Sequence, residues 1–306
     1  MFTLLMTMML GATPPDRVMR VVVAPAETLH VEVSGTGPVV VLLPGLFGSA
    51  YAYRSVVERL VMDGRRAIVI EPLGLGSSSR PRGADYSLTA QADRVAAVLD
   101  SLGVSDAVVV SHAVGTGIAL RLALRRAPLV KSVLSLGGGV VESAAAPSLR
   151  QAVSLAPLIR LIGGAGIRKR VRSSLIESSG DPTWVSDAVI AAYTGYATAN
   201  IGATLGAFRG MVESREETVL APRLGDLQCD VVLLLGGAIH HGRVDEREVA
   251  QLRRDVHSFS LEMVPGAGSY RHEERPELVA AVVGRMLLTR PTAEATSGAA
   301  GSRSFR

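Results

Sequence analysis

The sequence is short of four things, and each shortage closes off a class of protein. It has one cysteine, Cys229, which rules out an intrachain disulfide framework and a cysteine-based metal cluster. Placed just before an apolar run, that thiol reads as buried and inert. No apolar run reaches the ~18 residues that a bilayer span needs, so no integral membrane segment is expected. Aromatic residues make up only 4% of the chain, which leaves the core to Val, Leu, Ala and Ile. Lysine occurs only at Lys131 and Lys169, so arginine supplies nearly all the positive charge. With a net charge of +4 and no nucleic-acid-binding module, nucleic acid is not an expected partner. The apolar start, Met1 to Leu10, lacks a basic region and an A-x-A cleavage site. It reads as a flexible extension rather than a secretory signal, and the expected location is the cytoplasm.

What is present is a regular alternation. At 306 residues and 48% apolar, the chain fits one large α/β domain. Val18–Val23 and Leu29–Val33 read as an edge hairpin closed by Gly35-Thr36-Gly37-Pro38. Val39–Leu43 and Ala67–Ile70 are continuous apolar runs, as expected of parallel strands buried on both faces. Helical periodicity fills Ala50–Met62 and Leu88–Leu102, the latter capped by Ser87. Strand Ala107–Ser111, helix Gly115–Arg126 and strand Val130–Leu136 continue the rhythm. Right-handed crossovers and a mostly parallel, twisted sheet flanked by helices follow from that order.

The rhythm stops after about residue 140 and resumes near 228 with Val231–Leu235, Glu246–Val256, Ser258–Val264 and Glu277–Leu288. The expected division is an extension over 1–17, a core of 18–140 and 228–289, a helical lid over 141–227, and a disordered tail over 290–306. Within the lid, Ile167-Arg168-Lys169-Arg170-Val171-Arg172 is basic. It reads as a solvated helix face, with an anionic tail or a membrane surface as the alternatives.

The chemistry centres on Val108–Gly117, an apolar strand turning sharply into a helix. Ser111 and Gly115 flank position 113 at the spacing of a nucleophile elbow, whose apex residue sits in a strained backbone conformation. That residue is Ala113, whose methyl can neither attack nor accept a proton.

Several local patterns, in this order and spacing, resemble the α/β-hydrolase fold family from about Arg20 to Leu288. They are Val40-Val41-Leu42-Leu43-Pro44-Gly45, then Gly74-Leu75-Gly76-Ser77-Ser78, then the elbow, then Val264-Pro265-Gly266-Ala267-Gly268 with Arg275-Pro276-Glu277 beyond it. The resemblance implies an α/β-hydrolase fold with a helical lid. It also implies that all three triad positions are substituted. Ala113 stands at the nucleophile, Ser269 stands where the base histidine would be, and Gly236-Gly237-Ala238-Ile239-His240-His241 has no carboxylate where the acid would be. By the same resemblance, backbone N–H groups at Leu46, with Phe47 beside it, and at Val114 form an oxyanion hole, which loss of a side chain at 113 does not remove.

The candidate acid–base groups are His112, His240, His241 and His272. The alternatives are packing beside Pro44 for His112, and exposed loop positions for the other three. Ser269 is a candidate for holding a water or a substrate hydroxyl, and Glu142 for an alternative acid. Trp184, Tyr193, Tyr196 and Phe208 are expected to line the lid or to form its core. No cofactor is implied, and no metal, because His240 and His241 are adjacent and no carboxylate has ligand spacing. The leading expectation is a non-hydrolytic enzyme: a lyase, isomerase or cyclase acting on an apolar small molecule such as a polyketide-like intermediate. The alternatives are an inactive binding or scaffold protein, and a hydrolase in which a displaced histidine activates water.

Overall fold

The computed structural model describes residues 14–145, 147–240 and 244–289. The expected extension (apart from 14–17) and the expected tail (290–306) therefore lie outside the described residues. Eight strands form one sheet: β1 (Arg17–Ala24), β2 (Glu27–Ser34), β3 (Val39–Leu43), β4 (Arg66–Glu71), β5 (Ala107–His112), β6 (Val130–Leu136), β7 (Asp230–Gly236) and β8 (Phe259–Val264). Their spatial order is β1-β2-β4-β3-β5-β6-β7-β8. β1 and β2 pair antiparallel, as does β2 with β4. Every pairing from β4 through β3 to β8 is parallel.

β3 is apolar at every position, and the middles of its neighbours β4 and β5 are too, because both faces are covered. Val41, Leu43 and Val109 pack against helices α2 and α3 on one face. Val40, Leu42, Val108 and Val110 pack against α1 and α10 on the other. Each such side chain removed from water contributes about 1.5–3 kcal/mol, which fixes the register of these short strands. The helices that cover the faces are α1 (Arg54–Met62), α2 (Leu88–Ser101) and α3 (Gly115–Arg125), followed in the chain by α4 (Pro147–Ser154), α5 (Ala156–Glu177), α6 (Asp187–Ala199) and α7 (Ile201–Glu213). After β7 come α8 (Glu246–Asp255), the short α9 (Arg271–Glu274) and α10 (Pro276–Leu288). Ser87 accepts from the Ala90 N–H and caps α2, and Ser186 caps α6 through Val189. The run expected as one helix from Ala50 opens instead as a 3-10 turn, Ala50–Tyr53. The carboxyl group of Glu71 accepts the Ala50 N–H there and holds the turn against the end of β4.

Helices α4 to α7 connect β6 to β7 and lie over the carboxyl ends of the strands. α5 is broken at Gly163, whose φ of 60° and ψ of −164° no other residue type adopts readily. Carboxylates fasten this helical segment to the core. Glu142 accepts from the Leu220 and Ala221 N–H groups. Glu216 accepts from Leu88 and Thr89 at the start of α2. No helix among the described residues is long and apolar enough to cross a membrane.

Candidate active site

β5 ends at His112, and the chain reverses at Ala113 with φ of 48° before α3 begins. For an alanine this left-handed backbone costs about 1–2 kcal/mol, so the surroundings must hold it. They do so from three sides. The Ala113 carbonyl accepts from the Thr116 N–H at 3.0 Å. Gly45 backs the turn so closely that a Cβ there would stand 2.9 Å from the His112 carbonyl oxygen. Gly138 backs it on the other side, where a Cβ would stand 2.1 Å from Thr116 Oγ1 and 2.4 Å from the Ala113 oxygen. Beneath the turn, buried hydroxyls link Ser111 to Thr116 at 3.2 Å and Thr116 to Ser135 at 2.8 Å. Ser111 is fully buried, which removes it as a nucleophile.

Above the turn lies a cavity of about 510 Å³, bounded by the Pro44–Ser49 loop, Gly74–Gly76, Arg80, His112, Tyr270, His272 and the helical segment. Two imidazoles share its wall, with ring centroids 4.7 Å apart. His112 Nε2 lies 3.2 Å from the Ser269 carbonyl oxygen. A carbonyl only accepts, so the proton sits on Nε2 and Nδ1 carries the lone pair. Enclosure and the nearby Arg271 guanidinium bring His112 down to about 4. His272 is 2% exposed and packs on Tyr53 at 5.1 Å, and its Nδ1 has no hydrogen-bond partner among the described residues. Burial, then His112, Arg271 and Arg54, hold it well below the usual histidine range. Both rings are therefore neutral at pH 7. A neutral imidazole donates a hydrogen bond to developing negative charge or relays a proton.

The segment after β8 departs from expectation. His272 was expected in a charged loop with a surface position as the alternative, yet Arg271, His272, Glu273 and Glu274 are all buried in α9. Long-range partners make this possible. Glu273 meets Arg54 at 2.7 Å and the Tyr193 hydroxyl at 2.8 Å. Glu274 accepts the N–H groups of Gly180, Asp181 and Gly268. Arg271 donates to the Gly268 carbonyl at 2.6 Å.

The other sequence-predicted residues divide. Leu46, Phe47, Tyr193, Tyr196 and Phe208 line the cavity. Val114 is the residue from which α3 starts. Neither its N–H nor that of Leu46 has a hydrogen-bond acceptor among the described residues. Trp184 does not line the cavity. It packs against Tyr193 and Tyr270 in the core of the helical segment, with Nε1 donating to Ser179 Oγ. The Ser269 side chain is also absent from the lining; its carbonyl meets His112, and its N–H donates to the Ser178 carbonyl. His240 lies away from the cavity, turned back on its own loop so that Nδ1 donates to the Ala238 carbonyl at 2.8 Å. His241 lies outside the described residues. Glu142 serves as the fastening described above rather than as an acid in the cavity. In the basic run, Arg168 and Lys169 are exposed, Arg172 pairs with Asp187, and Ile167, Arg170 and Val171 border the cavity. Sequence reasoning missed Tyr53, Tyr270 and Arg80, and had Glu273 as a partner of His272, whereas it meets Arg54 and Tyr193. The only available signal was the unusual density of charge at 271–275. Cys229 is buried as expected, with burial pushing its thiol up to about 12. No group of three or more potential metal ligands occurs among the described residues.

Comparison with known proteins fits this architecture. A profile described as alpha/beta hydrolase fold matches residues 38–156. A bromoperoxidase from Bacillus anthracis superposes with a TM-score of 0.74 over 89% of this chain and 99% of its own, at 16% identity. The chain has the α/β-hydrolase fold. An sn-1-specific diacylglycerol lipase of Mus musculus is 25% identical over 263 residues, 79% of this chain and 78% of the lipase. An uncharacterized protein of Mycobacterium tuberculosis is 33% identical over 113 residues, 36% of this chain and 32% of its own. The match to that relative thus spans about a third of its length. Within the α/β-hydrolase fold, the cavity lies at the carboxyl edge of the parallel strands, where open α/β sheets bind their ligands.

Proposed function

We propose that the chain is an enzyme of the α/β-hydrolase class that moves a proton on a largely apolar carbonyl compound, as a lyase, isomerase or cyclase does, without bonding covalently to it. The helices between β6 and β7 serve as the lid. The observation that carries this reading is the methyl of Ala113 at a strained apex, φ 48°, next to the neutral His112 ring, which itself packs on neutral His272 at 4.7 Å. A triad hydrolase needs a nucleophile, a base that takes its proton and an acid that orients the base. Positions 113, 269 and 236–240 supply an alanine, a serine and no carboxylate. What remains is electrostatic. The Leu46 and Val114 N–H groups, with the N-terminus of α3, stabilise an enolate or alkoxide, one such donor contributing about 3 kcal/mol. His272 donates to, or exchanges a proton with, the same substrate.

The test is hydrogen–deuterium exchange next to the carbonyl of a panel of apolar ketones and thioesters in D2O, followed by NMR. Exchange catalysed by the purified protein, lost about 100-fold in H272N and kept in A113S, supports the reading. Rapid turnover of p-nitrophenyl esters with covalent labelling by a fluorophosphonate overturns it. A second reading is favoured by the unpartnered Nδ1 of His272 and by the lipase among the relatives: hydrolysis in which His272 activates water directly. Incorporation of ¹⁸O from labelled water into product, without any labelled side chain, selects that reading. Absence of all turnover selects a binding protein.

A further inference from the structure

Arg80 stands in the cavity wall beside Leu75 and Gly76. Its guanidinium is pinned by two backbone carbonyls, Nη2 to Gly76 at 2.6 Å and Nη1 to Ser78 at 3.2 Å. Its Nε is buried without a partner, and among the described residues it forms no ion pair within 4 Å. Glu71 and Tyr86 are the anionic or phenolic groups that bear on it. Glu71 has its own oxygens committed to the Ala50 and Ser77 N–H groups. Arg271, more deeply buried, likewise has an unpartnered Nε and bonds the Gly268 carbonyl without an ion pair among the described residues, but three other enclosed arginines are treated differently. Arg54 meets Glu273 at 2.7 Å, Arg94 meets Glu27 at 2.7 Å, and Arg121 meets Glu216 at 3.3 Å. A guanidinium has five donors, and taking it out of water without a counter-charge is expensive. Arg80 is held in place and partly desolvated, with Glu71 acting on it only from beyond contact distance, at the edge of a largely apolar chamber.

We propose that the molecule this cavity accepts carries an anionic group, a carboxylate or a phosphate, that seats on Arg80 while its apolar body lies under the lid. Two parallel N–H···O bonds to an oxyanion supply a counter-charge in contact and the geometric selectivity of the guanidinium fork. Arg170, exposed on α5 and bordering the same cavity, adds attraction at the mouth, with Arg168 and Lys169 exposed beside it. Glu177, also in the lining, is the carboxylate such a ligand must avoid. The inference rests on the cavity being the substrate site and narrows the substrate of the proposed reaction to an amphipathic acid.

The experiment is displacement of the neutral fluorescent probe N-phenyl-1-naphthylamine from the full chain by decanoate, decyl phosphate and decanol, in wild type, R80Q and R80K. In the wild type at least one of the acids displaces the probe at about tenfold lower concentration than decanol. Which acid is the tighter distinguishes a carboxylate substrate from a phosphate one. R80Q removes most of the preference and leaves decanol within about twofold of wild type. R80K, a point charge in place of a fork, keeps part of it. Equal displacement by decanol and both acids in the wild type overturns the inference, as does a preference that survives R80Q. If R80Q does not fold, a salt titration of the wild type decides. The acid preference shrinks between 20 mM and 500 mM salt if a charge is being read, and stays constant if it is not. Acids and alcohol binding alike would leave the proton-transfer reading standing. Absence of carbonyl exchange with strong acid binding would do the reverse.

Discussion

Two loops leave the carboxyl edge of the same sheet and behave in opposite ways. The turn after β5 keeps a strained backbone although its apex is only a methyl. The loop after β7 has let its histidine fall back on its own chain. The difference lies in what surrounds each. The β5 turn is wedged between Gly45 and Gly138 and tied to a buried hydroxyl chain, so its shape is set by packing that does not need a reactive side chain. The β7 loop carries Ile239 at 96% exposure, and among the described residues His240 bonds to its own loop, at Ala238. Strain persists where neighbours over-determine it and relaxes where they do not.

The sharpest way to break the comparison is to add one carbon against each loop, at Gly138, which follows β6 and backs the β5 turn, and at Gly237 within the β7 loop. In Gly138→Ala, the new Cβ meets Thr116 Oγ1 at 2.1 Å and the Ala113 oxygen at 2.4 Å, with Ser135 also bonded to this residue. Backbone must move, and urea denaturation is expected to show a loss of about 3 kcal/mol or more. In Gly237→Ala, the Cβ finds the Val264 oxygen at 3.3 Å and the Pro265 Cα at 3.4 Å, which small shifts accommodate. That loss is expected to stay below about 1 kcal/mol. Equal losses at the two positions would show that the β5 turn is no more constrained than its neighbour.

The second measurement uses protons. His112 and His272 stay neutral in the folded chain far below the pH at which they charge when unfolded. As pH falls through about 6.5, the unfolded chain takes up protons that the folded chain refuses, so stability drops with falling pH. The contribution approaches 1.4 kcal/mol per pH unit for each ring, and for His112 it levels off below about 4. The raised carboxyls of Glu71 and Glu273 pull the opposite way. The difference between wild type and H272N therefore isolates one imidazole. Between pH 7 and pH 5 the wild type is expected to lose about 2 kcal/mol more than H272N. Parallel curves would mean that His272 is protonated in the folded protein.

These contrasts also mark what the sequence could and could not say. Val39–Leu43, Leu88–Ser101 and the β5 strand were legible because local apolar runs and a serine cap decide them. The elbow was legible because its spacing is local. Arg271–Glu274 was not. Four charged or polar residues in a row look like surface, and their burial depends on Arg54, Tyr193 and the backbone of Gly180, between 80 and 219 positions away. Glu142 read as a spare acid because its partners are backbone N–H groups 78 and 79 residues on, which no side-chain pattern reveals. His240 was misplaced because the course of an exposed loop follows from no periodicity. Trp184 was misplaced because an aromatic in a helical segment packs equally well inward or toward a cavity.

The finest discriminator concerns the apex itself. If Ala113 is held at φ 48° by its neighbours, glycine at that position removes the steric cost without removing any contact larger than a methyl. Glycine also raises the entropy of the unfolded chain, which takes back part of the gain. The left-handed penalty of about 1–2 kcal/mol exceeds that loss, so Ala113→Gly is expected to stabilise the fold by about 0.5 kcal/mol, a small rise in the urea midpoint at unchanged slope. His240→Ala, the matched change in the other loop, removes one hydrogen bond within a single exposed turn and is expected to stay within about 0.5 kcal/mol of zero. A destabilised Ala113→Gly variant would mean that the turn relaxes once the methyl is gone. The methyl, rather than Gly45 and Gly138, would then be what keeps the apex in place.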